Sequence, residues 1–423
     1  MILAQSKNGL RGTITVPGDK SISHRSVMLG ALANGTTHVT GFLMGEDCLS
    51  TIDCFRKMGV KIKVNDTNVV IHGVGLHGLT APTEQLYTGN SGTTTRLISG
   101  ILSGQKFSCS LTGDSSICKR PMGRIIKPLR EMGAKIRGID DKFCPLSYEP
   151  AVLNGMEYVM PVASAQLKSA ILLAGLYADG PTTVVEPAPS RDHTERMLRA
   201  LGCRIETDGR RVTVYPPEEL QSVDIDVPAD ISSAAYFLVA GAIVPNSEIT
   251  IRRVGVNPTR TGILDALRMM GAEITESNYV DGAEPVCDLT VRTSKLHGIS
   301  IGGEIIPRLI DELPVLAVAA AFAEGETVFR DAEELKVKES NRIAAMVKEL
   351  NRCGCDASET ADGMIIRGGC PLHAAAFETY GDHRIAMSMA ICAKAIHGES
   401  EILDPQVVAI SYPDFFDTLS ALE

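Results

Sequence analysis

The chain has 423 residues, which exceeds the usual size of one hydrophobic core and predicts two or more domains. Apolar residues make up 44% of it and charged residues 22%, which excludes a disordered chain. The net charge of −10 argues against a nucleic-acid partner, because binding to a phosphate backbone needs a basic surface. No stretch reaches the roughly 18 uncharged apolar residues of a membrane span. The amino terminus lacks a signal peptide's apolar core, so we expect a cytoplasmic protein without a membrane partner.

Eleven cysteines are scattered along the chain without CxxC pairs or metal-ligand spacing. An odd number of cysteines in so long a chain indicates reduced thiols in a reducing compartment. We therefore expect no structural zinc.

The first polar motif in chain order is PGDKSISHRS at 17–26, which predicts a helix start that holds phosphate. Lys20 supplies a mobile positive charge, and the planar fork of Arg25 can bind two phosphate oxygens. Ser21 and Ser23 can cap the helix and donate hydroxyls. The alternative for this motif alone is a capped surface helix with solvated charges.

Two kinds of helix recur along the chain. Five amphipathic segments end in glycine: FRKMG at Gly59, LREMG at Gly133, LRALG at Gly202, LRMMG at Gly271 and LNRCG at Gly354. Glycine suits the residue after a helix because it adopts left-handed backbone without a Cβ penalty. Strand-like segments follow four of these glycines, and a sixth helix-like segment, FFDTLSALE, ends the chain.

The second kind of helix opens with a polar cluster and continues as an Ala/Leu-rich run. The six copies are SISHRSVMLGALANG, NSGTTTRLISGILSG, SAQLKSAILLAGLYADG, DISSAAYFLVAGAIVPN, DELPVLAVAAAFAEG and DHRIAMSMAICAKAIHG. Because they are apolar on most faces, we expect them to be buried. Short β-branched strands follow most of them, which predicts an α/β fold of six units, each with two helices.

The motif V-P-x-D occurs at 16–19 and at 227–230, just before the first and fourth buried helices. Because the two motifs precede the first and fourth of six repeats, they favour two domains of three units each. The chain would pass from one domain to the other near each motif. Chance is the alternative explanation of the motif pair.

If the six units share one geometry, the N-termini of the buried helices in each domain point the same way and favour anions. The residues at these ends in the first half are Lys20, Ser21, Arg25, Asn90, Ser91, Gly92, Thr93, Arg96, Ser164, Gln166 and Lys168. Those in the second half are Asp230, Ser232, Asp311, Glu312, Asp382, His383 and Arg384. This pattern predicts a ligand with several negative charges, and carboxylates that transfer protons.

Simpler interpretations exist for individual residues. An N-cap role alone would satisfy Asp311, and Glu339 fits a first-turn acid favoured by the helix dipole. The segment GNSGTTTR lacks the Lys-Ser/Thr of a P-loop, so we expect no nucleotide site there.

Eight motifs occur in a single order: PGDKSISHR, GNSGTTTR, KRPM, SAQLK, SRDHTERML, KESNRI, GDHRIAM and PDFF. With them the chain resembles the 5-enolpyruvylshikimate-3-phosphate synthase family over essentially its whole length. The resemblance implies the two-domain enolpyruvyl transferase fold, with three βαβαββ-type units per domain. It places the N-terminal domain at 17–228 and the C-terminal domain at 1–16 plus 229–423, with the two domains closing over the substrates.

The resemblance also implies two sets of binding residues. The shikimate 3-phosphate site would contain Lys20, Ser21, Arg25, Ser164, Gln166, Ser190, Arg191, Asp311 and Lys338. The phosphoenolpyruvate site would contain Lys20, Asn90, Gly92, Arg120, Gln166, Arg342 and Arg384. Asp311 and Glu339 match the family's acid/base carboxylates, with Lys20 assisting.

The implied reaction adds the 5-hydroxyl of shikimate 3-phosphate to C2 of phosphoenolpyruvate while C3 is protonated, and phosphate then leaves. It requires no metal or organic cofactor, its partners are these two small molecules, and we expect a monomer. SAQLK, RDHT and NPTR resemble a subgroup known to tolerate the inhibitor glyphosate. Gly92 stands where some tolerant members have alanine, which suggests that this pocket has room for glyphosate.

Two alternatives accompany this prediction. The sister enolpyruvyl transferase that acts on UDP-N-acetylglucosamine carries a reactive cysteine several residues before an Arg-Pro, whereas Cys118 stands only two residues before Arg120. A catalytically silent phosphate-binding scaffold is the other alternative, and it is disfavoured by the presence of Lys20, Asp311, Glu339 and Arg384.

Overall fold

The structure, a computed structural model, describes all 423 residues. Packing contacts divide them into two compact units. Gly18–Val227 forms one, which we call the continuous unit, and Met1–Pro17 with Pro228–Glu423 forms the other, which we call the discontinuous unit. None of the helices has the length and apolar character that a membrane crossing requires.

Thirteen α-helices lie at Lys20–Leu32 (α1), Glu46–Lys57 (α2), Gly92–Ser103 (α3), Gly123–Glu131 (α4), Ala165–Gly175 (α5), His193–Ala200 (α6), Ile231–Ile243 (α7), Gly262–Met269 (α8), Ile306–Leu309 (α9), Leu313–Ala321 (α10), Arg342–Arg352 (α11), His383–Ala395 (α12) and Phe415–Ser420 (α13). Short 3-10 helices lie at Ile117–Lys119, Gly303–Ile305, Glu333–Val337 and Pro405–Ile410.

The strands lie at Ile2–Ala4 (β1), Arg11–Ile14 (β2), Asn34–Thr40 (β3), Lys61–Asn65 (β4), Asn68–Val74 (β5), Leu86–Tyr87 (β6), Cys109–Thr112 (β7), Lys135–Ile139 (β8), Phe143–Glu149 (β9), Glu157–Val159 (β10), Thr182–Val185 (β11), Ile205–Asp208 (β12), Arg211–Val214 (β13), Ile225–Asp226 (β14), Glu248–Gly255 (β15), Glu273–Val280 (β16), Val286–Arg292 (β17), Ser300–Ile301 (β18), Gly325–Phe329 (β19), Asp356–Glu359 (β20), Met364–Gly368 (β21), Ala376–Phe377 (β22) and Glu399–Ile402 (β23).

Six small sheets repeat one pattern, in which a short parallel pair continues into antiparallel strands. Their strand orders are β14-β3-β5-β4, β6-β7-β9-β8, β10-β11-β13-β12, β2-β15-β17-β16, β18-β19-β21-β20 and β22-β23-β1. The first three lie in the continuous unit and the last three in the discontinuous unit. The predicted six-fold repeat is therefore present as six sheets.

The Ala/Leu-rich helices form the cores of the two units. Every residue of α7 and of α10 is buried, and α1, α3, α5 and α12 are buried along most of their length. The amphipathic helices end as expected, since the glycine after each of the five has a φ between +86° and +100°. The fifth of these glycines, Gly354, is also followed by a strand, β20. The sequence of β20, DASE, lacks the β-branched residues that mark a strand.

The two V-P-x-D motifs precede equivalent helix starts. Asp19 caps α1 by accepting a hydrogen bond from the backbone N–H of Ile22 at 2.8 Å, and Asp230 caps α7 in the same way. The expectation that Ser21 and Ser23 cap α1 was wrong. Both serines lie inside the first turn, because the acidic side chain one residue before the helix already satisfies its free N–H groups.

Candidate functional site

The starts of α1, α2 and α3 meet in the continuous unit. Lys20, the first residue of α1, forms an ion pair with Asp47 in the first turn of α2. Thr94 of α3 donates to the backbone carbonyl of Asp47 at 3.4 Å. The imidazole of His24 lies 2.7 Å from the hydroxyl of Thr51, and burial together with nearby cations lowers its pKa well below the ordinary value. Asp47 thus contacts both Lys20 at the start of α1 and Thr94 in the first turn of α3.

Two arginines flank the N-terminus of α3. Arg120 donates to the side-chain oxygen of Asn90, and Arg96 Nη1 donates to Gln166 Oε1 at 2.5 Å. A Cβ added to Gly92 would lie 3.3 Å from Nη1 of each arginine, so both guanidinium groups reach the first residue of the helix. The free N–H groups of a helix start and two guanidinium groups are chemically suited to an anion. Asn90, Gly92, Arg96 and Gln166 were predicted as helix-end residues, whereas Arg120 was named only through the family resemblance.

Arg25 of α1 is buried against α5 and α6 of the continuous unit. Its Nε donates to Thr194 Oγ1 at 2.7 Å, and its Nη2 donates to Ser169 Oγ at 2.9 Å. Its Nη1 donates to the backbone carbonyl of Ser21 at 2.9 Å. These bonds hold the guanidinium group in one orientation beside α5, whose N-cap is Ser164.

Ser190 and Arg191 lie on the turn between β11 and α6. Ser190 is buried and donates its hydroxyl hydrogen bond to Glu186, while Arg191 is half-buried. Sequence reasoning missed Glu186, because it follows the apolar strand TTVV and no spacing relates it to the helix starts.

A buried arginine organises the carboxylates of the discontinuous unit. The side chain of Arg342 is only 1% exposed, and its Nε lies 2.8 Å from Asp382 Oδ2. Its Nη2 lies 2.5 Å from Glu339 Oε2, and its Nη1 lies 3.3 Å from Asp311 Oδ1. Burial alone would lower the pKa of Arg342, but the carboxylates outweigh it and raise the pKa above the ordinary value.

Asp311 is surrounded by cations. Lys338 Nζ lies 3.8 Å from its carboxylate, Arg384 Nη2 lies 3.9 Å from it, and Arg384 Nη1 donates to its backbone carbonyl at 3.0 Å. The carboxylates of Asp311 and Glu339 are 15% and 18% exposed, whereas that of Asp382 is fully buried. Asp311 and Glu339 are therefore the two members of this cluster that a ligand can reach.

The simpler interpretations of the two carboxylates do not describe the structure. Asp311 precedes the N-cap of α10, which is Glu312, so it is not the helix cap. Glu339 precedes Asn341, the residue that caps α11, and so lies outside the first turn. Both carboxylates instead form ion pairs with Arg342.

A second buried cluster of charged residues lies next to Asp311 at the starts of α7 and α10. The adjacent Glu312 is 0% exposed in its side chain and accepts a hydrogen bond from Ser232. Arg260 of the NPTR motif donates to Ser232 at 2.6 Å and to Asp230 at 3.2 Å. These contacts tie the starts of α7 and α10 together. Sequence reasoning noticed Arg260 only as part of a subgroup motif.

The two units therefore offer different chemistry. The continuous unit combines helix starts with lysine, arginines and hydroxyls, which suits phosphate and carboxylate groups. The discontinuous unit combines two reachable carboxylates with buried arginines, which suits proton transfer next to an anion. Nowhere in the chain do three or more histidine, cysteine, aspartate or glutamate side chains form a metal-binding group.

The fold is that of the enolpyruvyl transferases. Over 100% of its length the chain superposes with a TM-score of 0.81 on the enolpyruvyl transferase NikO from Streptomyces tendae, of which 97% is covered. The two sequences are 18% identical, so this likeness establishes the fold alone. The predicted fold class is confirmed.

Within that class, the chain belongs to the EPSP synthase family, whose model, described as EPSP synthase (3-phosphoshikimate 1-carboxyvinyltransferase), matches residues 4–419. A 3-phosphoshikimate 1-carboxyvinyltransferase of Geobacillus thermodenitrificans (strain NG80-2) is 56% identical over 426 residues, covering 100% of this chain and 99% of the relative. The structure of EPSP synthase from Acinetobacter baumannii aligns with a TM-score of 0.89 at 47% identity, covering 100% of this chain and 97% of that one. The family predicted from the motifs is confirmed.

Proposed function

We propose that the chain transfers the enolpyruvyl group of phosphoenolpyruvate to the 5-hydroxyl of shikimate 3-phosphate, giving 5-enolpyruvylshikimate 3-phosphate and phosphate. The observation that carries the proposal is the pair of reachable carboxylates, Asp311 and Glu339, held on the buried Arg342. Membership of the EPSP synthase family supports the choice of substrates.

The binding residues divide by substrate. Phosphoenolpyruvate binds through Lys20, Asn90, Gly92, Arg120, Gln166, Arg342 and Arg384. Shikimate 3-phosphate binds through Lys20, Ser21, Arg25, Ser164, Gln166, Ser190, Arg191, Asp311 and Lys338. The continuous and discontinuous units act as the two domains of the enzyme, the first mainly binding phosphate groups and the second supplying the acid and base.

Proton transfer falls to the two carboxylates. Asp311 lies within 3.9 Å of three cationic side chains, and its carboxylate accepts the proton of the attacking 5-hydroxyl. Glu339, in its protonated form, delivers a proton to C3 of phosphoenolpyruvate and takes one back from C3 when phosphate leaves, and the proton held by Asp311 leaves with the phosphate. Lys20 and Arg120 neutralise the charge of the departing phosphate.

A phosphate-release assay tests the proposal. The purified chain is incubated with phosphoenolpyruvate and either shikimate 3-phosphate or UDP-N-acetylglucosamine. We expect turnover with shikimate 3-phosphate only. Turnover with the nucleotide sugar would favour the sister enzyme, and no turnover with either acceptor would favour a non-catalytic scaffold.

Gly92→Ala should weaken glyphosate inhibition. The added methyl group would lie 3.3 Å from both Arg96 and Arg120, so the two guanidinium groups must shift by a few tenths of an ångström. Overpacking of this kind costs about 1–3 kcal/mol, so we expect the inhibition constant to rise about fivefold or more.

Gly123→Ala is the matched control for this prediction. Gly123 also begins a helix, but its added methyl group would meet no atom closer than 3.6 Å. The inhibition constant of this variant should equal that of the wild type. An unchanged constant in Gly92→Ala would show that the pocket has no close contact at this position.

A further inference from the structure

A buried charge cluster lies behind the Ser190 turn. Lys168 of α5 lies 3.0 Å from Glu186 Oε2 and 2.7 Å from Glu195 Oε1 of α6. The three side chains are 1%, 5% and 2% exposed. One cation faces two carboxylates here, so the cluster carries one excess negative charge when all three groups are ionised. Such a charge is costly in a buried position.

Ser190, a proposed ligand of shikimate 3-phosphate, contacts this cluster directly. Its hydroxyl donates to Glu186 Oε1, and its backbone carbonyl accepts from Lys168 Nζ at 3.3 Å. A serine hydroxyl has one proton to donate. Ser190 therefore cannot donate to Glu186 and to a phosphate oxygen at the same time.

The surroundings of Glu186 raise its pKa above the ordinary value of a glutamate. Burial raises its pKa, Lys168 opposes this effect, and the charge of Glu195 adds to it. Lys168 keeps its proton, because the two carboxylates outweigh burial and raise its pKa. The other oxygen of Glu195, Oε2, has no hydrogen-bond partner, so α6 supplies no donor that would offset the second carboxylate.

Further charged or titratable groups lie on the adjoining segments, including Arg25 of α1, which donates to Thr194 of α6 and Ser169 of α5, and His193 at the start of α6. Arg191 and Asp192 follow Ser190 on the turn, with opposite formal charges. Arg210, just before β13, donates its guanidinium hydrogen bond to the backbone carbonyl of Pro187. Lys168 and Glu195 are the charges that act most strongly on Glu186.

We propose that binding of the phosphate of shikimate 3-phosphate at Ser190 is coupled to uptake of one proton by Glu186. The hydroxyl of Ser190 turns from Glu186 to a phosphate oxygen. A proton from solvent joins Glu186, and the new O–H donates to Ser190 Oγ, so both carboxyl oxygens remain hydrogen-bonded. The proposal rests on the proposed function, because it takes Ser190 as a ligand of that phosphate.

Calorimetry on the wild-type protein tests the coupling without any substitution. Shikimate 3-phosphate is titrated at about pH 8 in buffers with different ionisation enthalpies. A phosphate monoester, with a second pKa of about 6, is then already a dianion, so protons taken up on binding go to the protein. We expect an uptake of about one proton, and an uptake of zero would overturn the proposal.

Two isosteric variants separate this coupling from a simple effect of net charge. Glu186→Gln imitates the protonated carboxyl, because its amide donates to Ser190 while its oxygen accepts from Lys168. Its dissociation constant for shikimate 3-phosphate should fall below that of the wild type as pH rises from 6 to 9. The ratio of wild-type to variant constants should approach about tenfold per pH unit above the pKa of Glu186, and the titration of the substrate cancels in this ratio.

Glu195→Gln is the matched control, because it removes the other carboxylate on Lys168 without touching Ser190. The charge of Glu195 raises the pKa of Glu186, so its loss makes Glu186 harder to protonate and should weaken binding near neutral pH. If both variants bound shikimate 3-phosphate more tightly than the wild type by the same factor, the loss of one negative charge would explain the effect. That result would overturn the proposal. A wild type that binds without proton uptake but turns over would leave the proposed function intact, whereas the absence of turnover would count against that function alone.

Discussion

Asp311→Asn lowers kcat by about 10²–10⁴-fold, the usual contribution of a general acid or base. The substitution keeps the size of the side chain and removes its ability to accept the hydroxyl proton. Arg342, Arg384 and Lys338 still surround the position, so we expect a folded protein whose kcat falls much more than its KM values rise. Steady-state kinetics with both substrates measure this directly.

Glu339→Gln should cause a loss of kcat in the same range, because the amide cannot exchange a proton with C3 of phosphoenolpyruvate. Asp356→Asn is the matched control in the same unit, since Asp356 forms an exposed ion pair with Arg367. An exposed pair contributes only about 0–1 kcal/mol, so the control should keep wild-type kinetics. Full activity in both Asp311→Asn and Glu339→Gln would show that the acid/base assignment is wrong.

Arg342→Met should be the most destabilising single substitution in the site. It leaves Asp311, Glu339 and the fully buried Asp382 without the cation that they share. At present the charge of Arg342 outweighs burial and holds the pKa of Asp382 below its ordinary value. Breaking a buried ion pair by removing one partner costs about 3–5 kcal/mol, and urea unfolding measures this loss.

Arg268→Met provides the comparison for that loss. Arg268 lies on α8 of the same unit, is 40% exposed and pairs with Glu276 at 2.6 Å. We expect a change of about 1 kcal/mol or less, as for other exposed pairs. Equal losses of unfolding free energy in the two variants would contradict the central position given to Arg342.

Local patterns in the sequence predict most of the fold. The buried helices stand out because their apolar residues cover every face, and the amphipathic helices stand out because each ends at a glycine with positive φ. The sequence pattern of β20 is weak, and this strand forms through its antiparallel pairing with β21. Its formation thus depends on a neighbour that a local window does not contain.

The site was predictable only in part, for a similar reason. Reasoning from the helix starts finds Lys20 and Asp382, but it does not find that tertiary packing pairs Lys20 with Asp47 and Asp382 with Arg342. Glu186 is harder to predict, because the β-branched strand before it does not indicate that the residue after the strand will contact the buried Lys168. The cap of α1 was mispredicted because the cap is the residue just before the helix, and the sequence did not show that the helix begins at Lys20. Asp19 is therefore the cap.

The most direct test of the proposed transfer is a single incubation of the wild-type protein with shikimate 3-phosphate and phosphoenolpyruvate in D₂O. Phosphate release and the mass of the product are then measured together. We expect one phosphate for each enolpyruvyl ether formed, with deuterium in its methylene group, because C3 gains a proton from the protein and then loses one. No phosphate above the enzyme-free control, phosphate without the ether, or an ether free of deuterium would contradict the proposed addition and elimination.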